Sequence, residues 1–356
     1  MKPSACIGLA LLICLLPACR GSAPEEFSPL PAESAWHVAD HRDDLIMQSC
    51  PDGTGDGFAM SFLLDVKPVT LGDEATASEA LGGLDYLGGW ALSTAPGSFG
   101  GLSGLKVLPA GDLLAVSDGG ALVEIGFDPS ELAPTGQATL AFLRDAYGEI
   151  MTGKAEADSE GLEYDDGLAF ISFERHHRVL AYAYGTCGSN ARGIPVSDIT
   201  SSPASLGASI RGNSGAEGLA QLDRQLLVGL ETVIDRLGPV AVIDENGVPQ
   251  FAAREWIDGE GLPLVGLDAK DGTLYSLHRA YNPLTGNSIL IAATGPQKKT
   301  RILGRIARPI TVDNFEGIAV SEGPDGDIRL FVIADDNFSE KQRTLLFAFR
   351  VRSTGG

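Results

Sequence analysis

The chain has 356 residues, of which 47 are acidic and 26 are Lys or Arg, and its formal charge is −21. A surface of this charge repels nucleic acid and anionic membranes, so we expect neither of them as a binding partner. The charge suits a divalent cation, although an acidic surface also serves solubility alone.

The first 18 residues have the pattern of an export signal. Lys2 precedes an apolar stretch from Ile7 to Leu16, which is too short to span a bilayer. The following Leu16-Pro17-Ala18-Cys19 resembles the bacterial lipobox, in which the cysteine is lipidated and becomes the first residue. Pro17 is unusual there, so a simple cleaved signal remains the alternative. We expect an exported protein of the periplasm or outer membrane, with a lipid anchor on Cys19.

The remaining cysteines allow one disulfide bond. Cys6 and Cys14 lie within the signal and Cys19 would carry the lipid, which leaves Cys50 and Cys187. In an oxidising compartment these two can pair, or they can stay as buried thiols. The sequence leaves both alternatives open.

Residues 19–35 are rich in Pro, Ser, Ala and Glu, a composition that cannot bury a core and predicts a flexible tether. The folded domain is expected over residues 36–352. The 45 glycines and 20 prolines of the chain separate short runs of alternating apolar residues, and helical periodicity is scarce. The pattern predicts an all-β domain, and it gives no indication of an oligomer.

A short motif that contains Gly and ends in an apolar residue occurs five times, each time before a β-rich run that closes on a charged residue. The clearest copies are residues 159–162 with 169–174, and residues 216–219 with 226–231. The closing apolar residues are spaced by 57, 57, 48 and 51 residues, which is typical of propeller blades. These residues are Leu105, Leu162, Leu219, Leu267 and Ile318. The repeat predicts a β-propeller with four-stranded blades.

The number of blades stays open at this point, because the domain is long enough for about six blades of this spacing but only five units are visible. A propeller ring is closed by a blade that takes strands from both ends of the chain. We therefore expect residues 344–352 to lie beside an N-terminal strand such as residues 84–93.

Strand direction predicts where the charged residues of the motifs meet. In an antiparallel hairpin the start of the first strand and the end of the second lie at the same edge. The acidic residues at these places should therefore gather at one rim of the propeller, around the central channel. They are Asp118, Glu160, Glu174, Glu217, Glu231, Glu316, Asp335 and Asp336.

So many carboxylates in one place predict a cation site, and oxygen ligands at this density favour calcium. Asn213, Asn282, Asn314 and Asn337 lie beside the motifs and could add neutral oxygens. The alternative is structural: a Glu before Gly-Leu can accept backbone N–H bonds in a turn and join one blade to the next.

Three basic residues near the same rim are candidates for catalysis. Arg175 and Arg279 follow the ends of equivalent strands, where a guanidinium could grip a phosphate or carboxylate, or could simply neutralise the acids. His278 is the candidate general acid or base, against an ordinary buried histidine. No serine-hydrolase elbow, zinc helix, P-loop or dinucleotide fingerprint occurs in the sequence.

Several ordered motifs resemble the bacterial phytase-like family, also described as "esterase-like activity of phytase". The similarity extends over roughly residues 84–350 and departs from the pattern at Ser103 and Val265, where other units carry Glu. The motifs are residues 100–105 with 116–118, residues 158–162 with 172–175, residues 213–219, residues 314–318, and residues 334–338 with 342–346. The resemblance implies an exported β-propeller with hydrolytic activity toward phosphate or other esters.

The leading hypothesis is an exported, calcium-assisted ester hydrolase, preferably a phosphoesterase, acting on a small anionic ester. Glu160, Glu217 and Glu316 would be cation ligands, and Asp335 or Asp336 would complete the set. A lactonase would use the same cation and histidine, with the arginines as structural partners. The alternative from another class is a membrane-tethered propeller without catalysis that binds a ligand or partner protein.

Overall fold

A computed structural model describes residues 35–53, 59–95, 97, 99–200, 214–251 and 256–353. The predicted signal, Cys19, nearly all of the predicted tether and Asn213 lie outside these residues. Among the described residues, no helix combines the length and the apolar character needed to cross a membrane. The fold is mostly β, as the sequence predicts, with five blades around a common axis.

The elements before the second blade are as follows. The N-terminal segment contains α1 (Val38–Ser49), β1 (Met60–Leu63), β2 (Asp65–Pro68), α2 (Glu74–Leu81) and β3 (Leu84–Ser93). Blade 1 contains β4 (Leu102–Val107), β5 (Leu113–Ser117), β6 (Ala121–Asp128) and β7 (Ala133–Phe142), and β1 adds a fifth strand at its outer edge.

The middle of the chain forms blades 2 and 3. After α3 (Lys154–Ala157), blade 2 contains β8 (Ser159–Asp165), β9 (Leu168–Phe173), β10 (Arg178–Tyr182), α4 (Tyr184–Cys187), a 3-10 turn (Gly188–Asn190) and β11 (Ile194–Asp198). Blade 3 contains β12 (Ala216–Leu222), β13 (Gln225–Leu230), β15 (Val240–Ile243) and β16 (Pro249–Gln250). β14 (Leu237–Gly238), between β13 and β15 in the chain, pairs with β17 (Ile257–Asp258), which follows β16, to form a separate two-stranded ribbon.

The last part of the chain forms blades 4 and 5. Blade 4 contains β18 (Leu264–Lys270), β19 (Thr273–Asn282), β20 (Gly286–Thr294) and β21 (Thr300–Ala307). Blade 5 contains β22 (Asn314–Glu322), β23 (Ile328–Asp335) and β24 (Thr344–Val351), followed in the sheet by β3 and β2.

The ring closes as predicted, because β24 pairs with β3 in antiparallel register from Thr344 opposite Leu92 to Val351 opposite Leu84. The five-bladed alternative is the right one. The N-terminal residues that would fill a sixth blade instead form α1, α2 and the extra edge strands β1 and β2. The sequence reading missed both helices because they are short and weakly amphipathic.

A disulfide bond joins Cys50 and Cys187, whose Cα atoms are 6.0 Å apart. Cys50 directly follows α1, and Cys187 ends α4 of blade 2. The N-terminal helix also packs against β10 and β11 of the same blade. The covalent bond therefore fixes the N-terminal helix to the second blade.

The apolar core is divided into five clusters of buried side chains, one between each pair of neighbouring blades. Aromatic rings contact one another within blade 5 and between blades 5 and 1. Phe347, for example, lies 5.0 Å from Phe315 and 5.7 Å from Tyr86 between ring centroids. Burial of each blade's two faces in this way supplies the main stabilisation of the ring.

The motif glycines let the five inner strands approach one another closely. A Cβ atom on Gly317 would lie 2.2 Å from the carbonyl oxygen of Ser103 in the next blade. A Cβ atom on Gly266 would lie 2.5 Å from the carbonyl oxygen of Glu316. No larger residue fits at these points without moving a backbone, and this is the physical reason for the repeated glycine.

Each inner strand also carries a β-bulge beside its motif glycine. In blade 3 the pairing shifts between Ala216 and Gly218, so Glu217 opposes no residue of β13. A shift occurs at the corresponding place in the other four blades, and in blades 1 and 2 it leaves both the glycine and the residue before it without a partner. A bulge re-aims the side chain of the extra residue. The residue before each glycine can therefore point at the central axis.

Deeper along the inner strands, a buried ion cluster joins three blades. The ammonium of Lys106 on β4 lies 2.8 Å from a carboxylate oxygen of Glu163 on β8 and 2.5 Å from one of Asp268 on β18. Glu163 also accepts the backbone N–H of Gln221, and Asp268 that of Val320. Burial opposes the charge of Lys106, but the two carboxylates outweigh it and raise its pKa.

We expect Lys106→Met to destabilise the protein by about 3–5 kcal/mol, because it leaves two buried carboxylates without their shared cation. The matched control is Lys67→Met, since Lys67 pairs with Asp65 on the exposed surface and should contribute no more than about 1 kcal/mol. Urea unfolding of both variants measures the difference. Equal effects would show that the buried cluster does not hold the blades together.

Candidate functional site

The central channel opens at one rim into a polar cavity of about 380 Å³, at the end where the inner strands begin. The structure brings seven of the eight predicted acids into this cavity, together with Asp158. Its lining residues are Asp118, Lys154, Asp158, Glu160, Glu174, Arg175, Glu217, Glu231, Arg279, Asn314, Glu316, Asp335 and Asn337. We call this space the acidic cavity.

Three of the carboxyl groups come from the bulges of the inner strands. Glu160, Glu217 and Glu316 are each no more than 8% exposed. The other two bulge positions hold Ser103 and Val265. Ser103 donates to Glu316 over 3.3 Å, whereas Val265 joins the apolar core between blades 4 and 5. The two departures from the repeat therefore leave three glutamates around the axis instead of five.

The carboxylate oxygens of the cavity form two groups that could hold a metal ion. Asp158, Glu160 and Glu174 have oxygens within 4.8 Å of one another, and so do Glu174, Glu217 and Glu231. Asp118 is 9% exposed, and its Oδ1 has no hydrogen-bond partner among the described residues. A set of carboxylate oxygens with a free buried acceptor is the kind of environment that Ca²⁺ prefers.

Burial and mutual repulsion make these carboxyl groups hard to ionise. Burial, followed by the charges of neighbouring carboxylates, raises the pKa of Glu160 and Glu217 well above the usual glutamate value. The same causes raise the pKa of Asp335 to about 8. Burial raises the pKa of Glu231 to about 7, although Arg279 opposes the shift. Near neutral pH the cavity therefore favours bound protons or cations.

Three cationic side chains offset part of this charge. The Nζ of Lys154 contacts Asp118 and lies 2.8 Å from Asp158, whose other oxygen accepts from Arg175 over 2.6 Å. On the opposite side, Arg279 lies 2.9 Å from Glu316. Arg175 and Arg279 thus reach the cavity as predicted by strand direction, but both are engaged by its acids.

Amide groups complete the wall near blade 5. Asn314 donates to Glu316 over 2.9 Å and to Asp335 over 3.2 Å. Asn337 also lines the cavity, whereas Asn282 accepts the backbone N–H of Leu284 in an exposed turn. The amide of Asn314 holds two carboxyl groups in fixed orientation.

His278 is the main correction to the predicted site, because its side chain is fully buried and does not line the cavity. Its Nδ1 lies 3.1 Å from the carbonyl oxygen of Leu262, and its Nε2 lies 3.0 Å from the hydroxyl of Ser276. Burial lowers the pKa of His278 to about 4. Adjacent residues of a strand face opposite sides. Since Arg279 faces the cavity, His278 faces the core.

Asp336 is the one predicted acid that does not line the cavity. Its carboxylate accepts the backbone N–H groups of Gly101 and Phe338, each over 3.0 Å, and the hydroxyl of Thr344 over 2.9 Å. These bonds fix the turn after β23 against the start of blade 1. Asp336 therefore serves the backbone at the rim.

The sequence did not predict two residues of the cavity, Asp158 and Lys154. Asp158 lies two residues before the motif Glu160, and Asn314 occupies the same place before Glu316. This shared polar position was a signal that could have identified Asp158. Lys154 comes from the short helix α3, for which the sequence shows no repeat, and nothing in the sequence marks it.

A comparison with protein families gives one match. The family described as "Phytase-like: Esterase-like activity of phytase" matches residues 97–338, which is more than half of the chain. The match confirms the resemblance drawn from the ordered motifs. No curated protein has a significantly similar sequence.

Solved structures with similar architecture share little sequence with the chain. The PQQ-bound aldose sugar dehydrogenase of Streptomyces coelicolor has 14% identity and a TM-score of 0.43, over 77% of this chain and 99% of that one. The endo-arabinase of Bacteroides thetaiotaomicron has 12% identity and a TM-score of 0.40, over 73% and 97%. We draw no functional conclusion from similarities at this level.

The raised pKa values predict how stability depends on pH when a chelator is present. A carboxyl group that keeps its proton in the folded state stabilises the fold below its unfolded pKa, and this contribution is lost as pH rises through its folded pKa. We therefore expect the free energy of unfolding to fall with rising pH, between 4.5 and about 7 because of Glu231 and between 3.8 and about 8 because of Asp335. Thermal unfolding in chelator measures the decline.

Glu217→Gln should make this decline shallower, because it removes one of the repelling carboxylates. The matched control is Glu245→Gln, at an exposed position away from the cavity. A divalent cation that binds the cavity should restore stability at pH 8 in the unchanged protein by linkage. The same pH dependence in both variants would show that the acidic cavity is not its source.

Proposed function

The chain belongs to the Phytase-like family, and from this premise we propose that it is a calcium-assisted ester hydrolase that acts on phosphoesters. The observation that carries the proposal is the convergence of eight carboxyl groups in a solvent-accessible cavity at the mouth of the channel. The family description supports ester chemistry, and the cavity supports an oxygen-bound cation.

The cation would be held by Glu174, which belongs to both groups of converging oxygens, together with Glu160 from the first group or Glu217 from the second. Glu316 would contribute less than predicted, since its carboxylate is already bound by Arg279 and Asn314. A bound Ca²⁺ would polarise the ester oxygen and lower the pKa of a water molecule at the site. The oxygen-only donor set fits this ion.

Asp335 is the residue that we propose moves the proton in place of His278. It lies outside both groups of converging oxygens, and its pKa of about 8 lets it exchange a proton near neutral pH. Asn314 donates to its Oδ2, and the backbone N–H of Asn337 donates to its Oδ1. These bonds hold the carboxyl group in one orientation toward the cavity.

Arg175 and Arg279 would hold the cavity acids in place more than they would grip the substrate. Each guanidinium is within 3 Å of a carboxylate of the cavity. A carboxylic ester or lactone would not need these arginines for binding, so arginines that pair with acids are compatible with such a substrate as well. Both classes of ester therefore belong in the test.

We also propose that the protein is exported and tethered through Cys19. The disulfide between Cys50 and Cys187 supports this proposal, because such bonds persist in oxidising compartments. Metabolic labelling with a fatty acid, compared between the unchanged chain and Cys19→Ser, tests the lipid. A signal that is merely cleaved would give no labelling in either protein.

The test of the proposed reaction is hydrolysis of phenyl phosphate and phenyl acetate by the full chain, with added calcium and with chelator. We expect calcium-dependent turnover of phenyl phosphate, reduced at least a hundredfold in Glu217→Gln and Asp335→Asn. Glu245→Gln should keep full activity. Melting temperatures of all variants establish that they are folded.

The outcomes separate the candidate functions. Turnover of phenyl acetate alone would favour a carboxylic-ester hydrolase. If neither ester reacts and calcium still raises the melting temperature, the cation is structural and the protein is a binding propeller. Unchanged turnover in Glu217→Gln would contradict the proposed site.

A further inference from the structure

A second cavity at the same rim has the opposite charge. It has a volume of about 620 Å³ and lies between blades 4 and 5. Four cationic residues line it, namely Arg279, Arg308, Lys341 and Arg343, against the single acid Asp313. We call this space the basic cavity. It is unusual in a chain with a formal charge of −21.

The two cavities share a wall, because Arg279 and Asn314 line both of them. Arg279 uses its Nη2 to contact Glu316 on the acidic side, while its Nε has no hydrogen-bond partner among the described residues. A buried donor without an acceptor is costly. An anion in the basic cavity would be attracted by the positive charge of Arg279 in this wall.

The outer cations of the basic cavity are available to a ligand. Arg308 and Lys341 form no ion pair with any residue that the structure describes, and Arg343 makes one 3.5 Å contact with Asp313 while its side chain is 50% exposed. The guanidinium of Arg308 lies against Gly286, where a Cβ atom would come within 3.2 Å of its Nε. The start of β20 therefore has room for this side chain because its first residue is glycine.

We propose that the basic cavity binds a compact oxyanion, a phosphate or carboxylate group, and that this group belongs to the same substrate molecule as the ester in the acidic cavity. Arginine forks and a lysine are the usual ligands of such groups. The volume is suited to part of a small molecule. This inference rests on the proposed function, and it implies a substrate with an anionic group beside the reacting ester.

The first test measures binding of inorganic phosphate to the full chain by calorimetry, in chelator and at physiological salt, with acetate as the carboxylate probe. Without a cation the acidic cavity repels anions, so binding reports on the basic cavity. We expect saturable binding of at least one of these anions, weakened at least tenfold in the double variant Arg308→Gln with Lys341→Gln. Which anion binds more tightly identifies the preferred group.

The matched control is the double variant Lys299→Gln with Arg301→Gln, which removes the same two charges from blade 4 outside both cavities. It should bind the anions as the unchanged chain does. No saturable binding, or an equal loss in both double variants, would overturn the proposal, because the attraction would then be absent or would belong to the whole surface.

The second test compares kcat/KM for phenyl phosphate and 4-carboxyphenyl phosphate in the presence of calcium. We expect the additional carboxylate to raise kcat/KM several-fold, and the ratio to fall toward one in the Arg308→Gln, Lys341→Gln variant only. A ratio that is unchanged in that variant would overturn the assignment to the substrate. If neither ester reacts, the proposed function fails, and anion binding still decides whether the basic cavity is a site.

Discussion

The close approach of five inner strands around one axis is the constraint on which the rest of the structure depends. It favours glycine at the same place in every blade, since a Cβ atom there would collide with the next inner strand, at a backbone atom for Gly104, Gly266 and Gly317 and at the side chain of Leu267 for Gly218. The bulge beside that glycine then turns the preceding residue toward the axis. Glu160, Glu217 and Glu316 are thus brought together by the packing that closes the ring.

The two buried clusters along the axis differ in their charge balance. Lys106 lies between two carboxylates, and backbone N–H groups satisfy the remaining oxygens, so this cluster is complete without a ligand. The acidic cavity has far more carboxyl groups than cations, and the pKa values of Glu231 and Asp335 lie near neutrality. A buried excess of one charge costs stability, and the apolar clusters between the blades offset this cost. The incomplete cluster is the one suited to bind a ligand.

The charged groups at this rim are also segregated. Acids gather at the mouth of the channel, and Arg308 and Lys341, which pair with no acid among the described residues, lie on the outer side of the wall that contains Arg279. A small molecule bound across this wall would meet a cation site on one side and arginine or lysine donors on the other. Such an arrangement orients a substrate by charge, because each of its groups is attracted to only one side.

The sequence alone determined the repeat, the all-β class, the closing strand and the rim at which the acids meet. These follow from short-range features, since strand alternation, glycine spacing and hairpin direction are written in neighbouring residues. Strand alternation could even have excluded His278, because Arg279 occupies the position that Glu174 and Glu231 hold in other blades. Only the tertiary structure decided the number of blades, the contribution of Asp158 and Lys154, the position of Asp336 and the existence of the basic cavity. These depend on which side chains from distant parts of the chain come within a few ångströms, and the packing of one blade against the next sets those distances.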